Sequence, residues 1–592
     1  MSIEQLITEH LDIWTAADTE KKSGRGRSSG SSGNVYGIKK LRELILELAV
    51  RGKLVPQDAN DEPASELLKR IAAEKAKLIA EGKIKKTKPL ADITDDEKPF
   101  ELPIGWSLER LCSLSHMITK GTTPTSLGFS YQNEGIRFVK VENVSFGRIN
   151  INSIDQYISE ETDKALARSR LITGDVLFSI AGTIGRTCIV YSKDIPANTN
   201  QAFAIIRGTT TVFDQMFLLR QLDSFVSNKT KEKARGGAMN NVSLSDLSEL
   251  ILIIPPLAEQ HRIVAKVDEL MALCDQLENQ HNNAAEAHEK LVTHLLGTLT
   301  QSQNAEDFNT HWQRISEHFD TLFTTEASID ALKQTLLQLA VMGKLVPQDP
   351  NDEPASELLK RIQAEKAKLI AEGKIKKTKP MAQITNEEKL FILPKEWDWV
   401  RLEYLMPEFQ NGASSRGDSD GDPIIVLRLA DIKDRHISLD EPRELFISPS
   451  MIEKYRLSLG DILVVRVNGS ADLVGGFVVC EQSFDGIYCD HFIRMRIPQN
   501  TLIPRFLSLV GASQLVRNRI QELFITTAGQ KTVNQNHISS LIIPLLSVTE
   551  QHRIVAKVDE LMAICDQLKS RLTAANRLQQ KLADVMVEQA IS

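Results

Sequence analysis

Residues 48–89 read LAVRGKLVPQDANDEPASELLKRIAAEKAKLIAEGKIKKTKP, and residues 339–380 repeat them with Met342 in place of Arg51, Pro350 in place of Ala59 and Gln363 in place of Ala72. Thirty-nine of 42 positions are identical at an offset of 291. A second passage, EQHRIVAKVDELMALCDQL at 259–277, returns at 550–568 with the same offset and one change, Ile564 for Leu273. Self-similarity at a fixed offset governs the architecture before any local propensity does. Between the repeated passages the likeness almost vanishes. Residues 107–257 and 398–548 share their length and a few landmarks: LPIGW (102–106) against LPKEW (393–397), and GDVL (174–177) against GDIL (460–463). Two near-identical frames therefore hold two different inserts.

The ends complete the pattern. Thr8-Glu9-His10-Leu11-Asp12 resembles Ser316-Glu317-His318-Phe319-Asp320 at an offset of 308, and a Gly/Ser/Arg-rich linker at 23–34 accounts for the extra 17 residues. The centre is thus a copy of the C-terminal tail followed by a copy of the N-terminal segment. If like packs with like, the chain termini meet as the two halves of the centre do, and the molecule closes into a circular pseudo-two-fold. The reading divides the chain into 1–101 (helical frame), 102–257 (first insert), 258–392 (central frame), 393–548 (second insert) and 549–592 (C-terminal helix).

Apolar residues after Glu259 fall at Ile263, Val267, Leu270, Cys274 and Leu277, then His281, Ala284, His288, Leu291 and Leu295. Spacings of four and three alternate, which predicts a long helix with a heptad seam, and its counterpart follows Glu550. Such a helix spans about 48 Å from Ile263 to Leu295. Histidines 281 and 288 read as polar interruptions that fix register. Ile38, Leu41, Leu44, Ile45 and Leu48 mark another helix, and Pro63 opens a third that Gly82 stops. The inserts look different: short β-rich runs at 137–141, 176–180, 187–191, 424–427, 462–467 and 477–480, with helices near 213–235 and 503–524. The expected fold is mixed α/β, with two globular domains separated by long antiparallel coiled-coil helices.

The 592 residues are 42% hydrophobic and 25% charged, with a formal net charge of −7. No apolar run reaches membrane-spanning length, and the first residues lack the basic-then-apolar form of a signal peptide. The six cysteines form no CxxC pair, so neither a zinc ribbon nor a disulfide framework is indicated, and the expected location is cytoplasmic. The sequence contains no GxxxxGK[ST] phosphate loop and no Gly-rich dinucleotide fingerprint after a strand. It also lacks an Asn/Asp-Pro-Pro-aromatic motif for amino-group methylation and any Ser/His/Asp arrangement of recognisable spacing. Neither catalysis nor a metal site is expected.

The polar loops of the inserts carry residue types that contact bases and phosphates. In the first insert they are Lys120, Thr122, Thr123, Lys140, Asn143, Thr183, Arg186, Arg235, Asn240 and Asn241. In the second they are Asn411, Ser414, Arg416, Arg428, Arg466, Asn468, Ser470, Gln530, Lys531 and Asn534. The inserts are not basic: 106–256 holds 16 basic and 14 acidic residues, 397–547 holds 15 and 18. Tight DNA binding through them alone would lack phosphate neutralisation.

Two variable inserts led in by LPxGW-like segments, the first led out by Pro255-Pro256-Leu257-Ala258-Glu259-Gln260-His261-Arg262-Ile263-Val264, resemble the specificity subunit of type I restriction-modification systems. The long N-terminal segment and near-perfect frames are most similar to the type IB group. The second lead-out keeps only Pro544 of the prolines. The resemblance implies that each insert is a target recognition domain reading one half of an asymmetric, bipartite site in double-stranded DNA. It implies that the frames dock two modification subunits, which bring S-adenosylmethionine, and that restriction subunits bring ATP and Mg2+; no cofactor is expected on this chain.

Two other readings make different demands. A tether holding one protein ligand twice requires similar inserts, and these differ. An enzyme with a site in each insert requires a shared acid, base or nucleophile, whereas the matched landmarks are Gly, apolar residues and Asp175/Asp461. Inserting seven residues into each long helix is expected to change the spacing between the half-sites and leave the half-sites themselves unaltered, and unchanged spacing in a methylation map overturns this.

Overall fold

The computed structural model describes residues 3–16, 35–86, 90–145, 147–209, 213–222, 242–375, 382–414, 417, 421–498 and 501–591. The chain forms two compact units, Met1–Asn283 with Asn576–Ser592, and Ala284–Ala575. The first unit joins the two ends of the chain, as expected if like packs with like. No helix among the described residues is long and apolar enough to cross a membrane.

In the first unit, the helix Tyr36–Val50 buries Ile38, Leu41, Leu44, Ile45 and Leu48. These residues share one apolar core with Ile263, Val267, Leu270 and Cys274 and with Ala583 near the C-terminus. The Tyr36 hydroxyl donates to Asp584 Oδ1 (2.8 Å), and Lys53 Nζ donates to the Ile591 carbonyl (2.8 Å). The second unit repeats this arrangement with central residues. Its core joins Val292, Leu296 and Leu299 to the helix Glu326–Val341 and to Ile554, Val558, Leu561 and Cys565. Lys344, 291 positions after Lys53, donates to the Thr300 carbonyl (3.0 Å).

The two long helices are Leu257–Thr300 and Val548–Ile591. The predicted seam is buried from Ile263 to Leu277, but farther along the buried positions are Val292, Leu296 and Leu299, one residue beyond the heptad series, and Leu291 is 48% exposed. A helix of 3.6 residues per turn drifts about 20° per heptad from a strict seven-residue repeat. Four heptads from Ile263 amount to nearly one residue, so the buried stripe keeps the period of an unsupercoiled helix. His288 Nε2–H donates to the Leu322 carbonyl (2.8 Å), a local tie consistent with a register role.

The helices Ala64–Ala80 and Ala355–Ala371 follow Pro63 and Pro354, whose φ values of −57° and −61° suit a helix start. Each buries little beyond an alanine, a leucine and an isoleucine, namely Ala64, Leu67 and Ile71, or Ala355, Leu358 and Ile362. Most of the best-repeated stretch of the sequence is therefore exposed.

Each insert is closed at its base by its own ends. Ser107–Arg110 pairs antiparallel with Ile251–Ile254, and Asp398–Arg401 with Ile542–Leu545. Above this ladder stand two sheets with the same order in both inserts. The four-stranded sheet runs Met117–Lys120, Phe203–Arg207, Val176–Ser179, Thr187–Ile189 in the first insert, and Glu408–Asn411, Phe492–Arg496, Ile462–Val465, Phe477–Val479 in the second. The three-stranded sheet runs Tyr157–Ile158, Ile136–Val139, Ala197–Thr199, and correspondingly Glu444–Ile447, Asp422–Leu427, Gly486–Tyr488. Each predicted strand has a counterpart whose ends differ by one or two residues, the one predicted at 424–427 starting earlier at Asp422. The helices Pro504–Ala512 and Gln514–Leu523 fill the stretch predicted near 503–524, whereas 223–235 of the helix predicted near 213–235 lie outside the described residues.

Removal of 576–592 is expected to destabilise the first unit, although the deletion lies more than 500 residues from its core helix. Hydrogen exchange should show lost protection in Tyr36–Val50, with Glu326–Val341 unaffected.

Candidate nucleic-acid interface

The matched landmark aspartates are structural. Asp175 and Asp461 are fully buried, each accepts a backbone N–H in the turn before its strand, and each pairs with an arginine of the neighbouring strand (Arg207 at 2.6 Å, Arg496 at 2.7 Å). Their lone pairs are engaged inside the sheet, which removes the one acid the inserts share from any catalytic role.

The loops gather where the chain crosses from the three-stranded to the four-stranded sheet. In the first insert this crossover is 200–202, between Thr199 and Phe203; in the second it is 489–491, between Tyr488 and Phe492. The Gly121 N–H donates to the Phe203 carbonyl (3.1 Å) and the Thr122 N–H to the Thr199 carbonyl (3.1 Å). In the second insert the Gly412 N–H donates to the Phe492 carbonyl (3.0 Å) and the Ala413 N–H to the Tyr488 carbonyl (2.9 Å). The approach is so close that a Cβ at Gly121 or Gly412 would lie 2.0 Å from the carbonyl oxygen of Asn200 or Cys489. A third strand joins in: the Ile180 N–H donates to the Ala202 carbonyl and the Arg466 N–H to the His491 carbonyl, both at 2.7 Å.

Around this point the structure places the residues singled out from the sequence. Lys120 is exposed at the end of its strand, and the Thr123 hydroxyl donates to the Gln201 side chain. Lys140 and Arg428 occupy equivalent positions at the start of a short helical turn, each with its N–H bound by a side chain three residues on, Asn143 or Asp431. Lys140 Nζ lies 5.8 Å from the Tyr131 ring centroid and 3.7 Å from Glu142. The Arg428 guanidinium is held above its ordinary range by its hydrogen bonds to Asp431. Asn143 is buried, and its amide also donates to the Ser153 carbonyl (2.7 Å), so the fold uses that side chain fully. Thr183 is exposed, and Arg186 Nη1 donates to the carbonyls of Val141 (3.0 Å) and Val144 (3.2 Å).

In the second insert, Val467–Asn468, Gln530–Thr532 and Ile525–Thr527 form a small sheet. It brings together Arg466, Asn468, Ser470, Gln530 and Lys531, whose Nζ donates to the Gly469 carbonyl (2.9 Å). Asn534 caps the helix Gln535–Ser539 by accepting the His537 N–H (2.9 Å). Asn411 accepts from Gln535 (3.1 Å), which ties this group to the Gly412 loop, and Ser414 is exposed beside it. Arg235, Asn240, Asn241 and Arg416 lie outside the described residues.

Cys489, Asp490 and His491 bring potential ligand atoms within 4.8 Å of one another. Burial pushes the Cys489 thiol up, away from the thiolate a metal requires. The first insert carries Asn200, Gln201 and Ala202 at the same points, so a metal there is no common feature of the two. The sequence reading missed both tripeptides. Their one sequence signal is a polar residue pair between two β-rich runs.

Residues 103–287 match the family model described as type I restriction modification DNA specificity domain. The chain is 40% identical to the EcoAI specificity subunit and 39% identical to the EcoEI specificity subunit, both of type I restriction enzymes from Escherichia coli, over all of this chain and all of each relative. It belongs to the specificity subunits of type I restriction enzymes. The solved HsdS subunit from Thermoanaerobacter tengcongensis covers 84% of this chain and 98% of its own, at 19% identity and a TM-score of 0.39.

Gly121→Ala and Gly412→Ala are each expected to destabilise their own insert by about 1–3 kcal/mol through forced backbone displacement. Hydrogen exchange of the strand Phe203–Arg207 or Phe492–Arg496, with the other insert unchanged, checks this.

Proposed function

We propose that each insert reads one half of a bipartite, asymmetric site in double-stranded DNA, and that the frames dock two copies of a modification subunit carrying S-adenosylmethionine. Restriction subunits using ATP and Mg2+ join the same complex, which works in the cytoplasm, and the chain fits the type IB group by its long N-terminal segment and near-identical frames. One observation carries this reading. The inserts share a backbone and differ in nearly every exposed polar side chain, whereas the frames are almost identical even where they are exposed. Packing does not demand identity on the outer faces of Ala64–Ala80 and Ala355–Ala371, because surface substitutions usually change stability little. An outer surface preserved twice serves two copies of one partner; a loop surface that differs serves two different base sequences.

Electrostatics supports the dependence on partners. Several insert cations are engaged internally: Arg207 with Asp175, Arg428 with Asp431, Arg494 with Glu408 and Arg496 with Asp461. The inserts supply base contacts, and most of the phosphate neutralisation comes from the modification subunits.

The test is methylome sequencing of cells expressing this chain with its modification subunit. A bipartite adenine-methylated motif that disappears on deletion of this chain is expected, and replacing 107–257 with another insert should change one half of it. No motif from an assembled complex overturns the reading.

A further inference from the structure

Superimposing the two inserts by their hydrogen bonds isolates a position where the backbone is held constant and the chemistry changes. The crossovers 200–202 and 489–491 are clamped from both sides in the same way. On one side stand the glycine loops already described. On the other, Ile180 and Arg466 donate to the crossover and in turn accept the N–H groups of Val242 (2.9 Å) and Val533 (3.0 Å). The backbone even closes the same turn inside the crossover, from the Phe203 N–H to the Asn200 carbonyl (3.3 Å) and from the Phe492 N–H to the Cys489 carbonyl (3.1 Å).

Such rigid support fixes the direction of the side chains the crossover carries, as a recognition position requires. Those side chains differ throughout: Asn200, Gln201 and Ala202 against Cys489, Asp490 and His491. Gln201 is exposed, and its neighbour Asn200 turns inward to accept the Ala202 N–H (3.1 Å). His491 is exposed and Asp490 half-buried, with Nδ1 and Oδ1 3.3 Å apart, and Arg466 Nη1 donates to the Asp490 carbonyl (3.1 Å). Side chains that merely stabilised this turn would be expected to match between the inserts, as the glycines and the landmark aspartates do.

We propose that the crossover is a base-reading position of each insert, occupied by Gln201 in the first and by Asp490 with His491 in the second. The proposal rests on the reading of the inserts as DNA-recognition domains and names the residues through which they differ. The amide of Gln201 keeps its NH2 donor and, beside the hydrogen bond its oxygen accepts from the Thr123 hydroxyl, a second lone pair, which suits the N6 and N7 edge of adenine. Asp490 and His491 offer a carboxylate acceptor and a ring nitrogen, which suit a different base pair. The identical clamp places these groups at the same point of each half-site.

The experiment is the methylome of cells carrying the full chain with its modification subunit, comparing wild type with Gln201→Ala and His491→Ala. Each variant is expected to relax one position of one half-site, lowering discrimination there roughly five- to hundredfold, the range for loss of one bidentate base contact. The other half-site stays unchanged. Co-purification with the modification subunit verifies assembly, and Gln201→Glu, close to isosteric, replaces an alanine variant that fails to assemble. An unchanged motif overturns the proposal, and so does a uniform fall in methylation across both half-sites. Absence of a bipartite motif from the wild-type complex would instead overturn the DNA-recognition reading itself.

Discussion

Everything variable in this chain hangs from one buried hydrogen bond made twice. The Trp106 indole N–H donates to Glu259 (2.9 Å), and the Trp397 indole to Glu550 (2.8 Å). Each bond joins the tryptophan that ends an insert's LPxxW lead-in to the start of the helix after that insert. The carboxylates are buried and sit above their ordinary pKa range because burial disfavours the charge. A hydrogen bond to a charged group stabilises by about 1.5–3 kcal/mol. Arg262 with Asp61 (2.6 Å) and Arg553 with Asp352 (2.5 Å) lock the same helix start to the loop before Pro63 or Pro354. With the two ends of an insert fixed, the 150 or so residues between them can change without disturbing the frame.

The closure of the first unit by the last helix follows from the same economy of parts. Lys53 and Lys344 perform one task with different acceptors, the Ile591 carbonyl at the far end of the chain and the Thr300 carbonyl in its middle. The entropic disadvantage of so distant a partner is small, since closing a loop costs only about 0.6 kcal/mol more for each doubling of its length. A repeated sequence can therefore complete one unit from local residues and the other from residues hundreds of positions away. The stripe shift to Val292 and Ala583 occurs in both helices, so both copies follow the same straight-helix geometry.

The repeat made the frames legible, because identity at a fixed offset needs no knowledge of packing. The strands were legible from their apolar runs. The interface was less so, for reasons visible in particular residues. Asn143 and Thr183 look equally apt for base contact in the sequence, yet the amide of one is turned inward onto Ser153 and the other is exposed. A polar side chain that caps a turn and one that reads a base have the same composition and differ only in direction. The crossover escaped notice because its support is backbone to backbone, and hydrogen bonds of that kind leave almost no trace in residue type. Gly121 and Gly412 are the exception: only the structure shows that their missing Cβ makes room for a carbonyl.

The inserts are not basic, with 16 basic to 14 acidic residues in 106–256 and 15 to 18 in 397–547. A reader that relied on its own cations would hold DNA of any sequence, since phosphate contacts carry no sequence information. Pairing Arg207, Arg428, Arg494 and Arg496 with carboxylates withdraws part of that indiscriminate attraction from the inserts. On the proposed reading, affinity comes from elsewhere in the complex, through the surface the sequence keeps identical on the exposed faces of the two frames. That reading separates specificity and affinity along the chain, insert by insert and frame by frame. That separation lets one half-site change while the other half-site and the partner surface stay as they were.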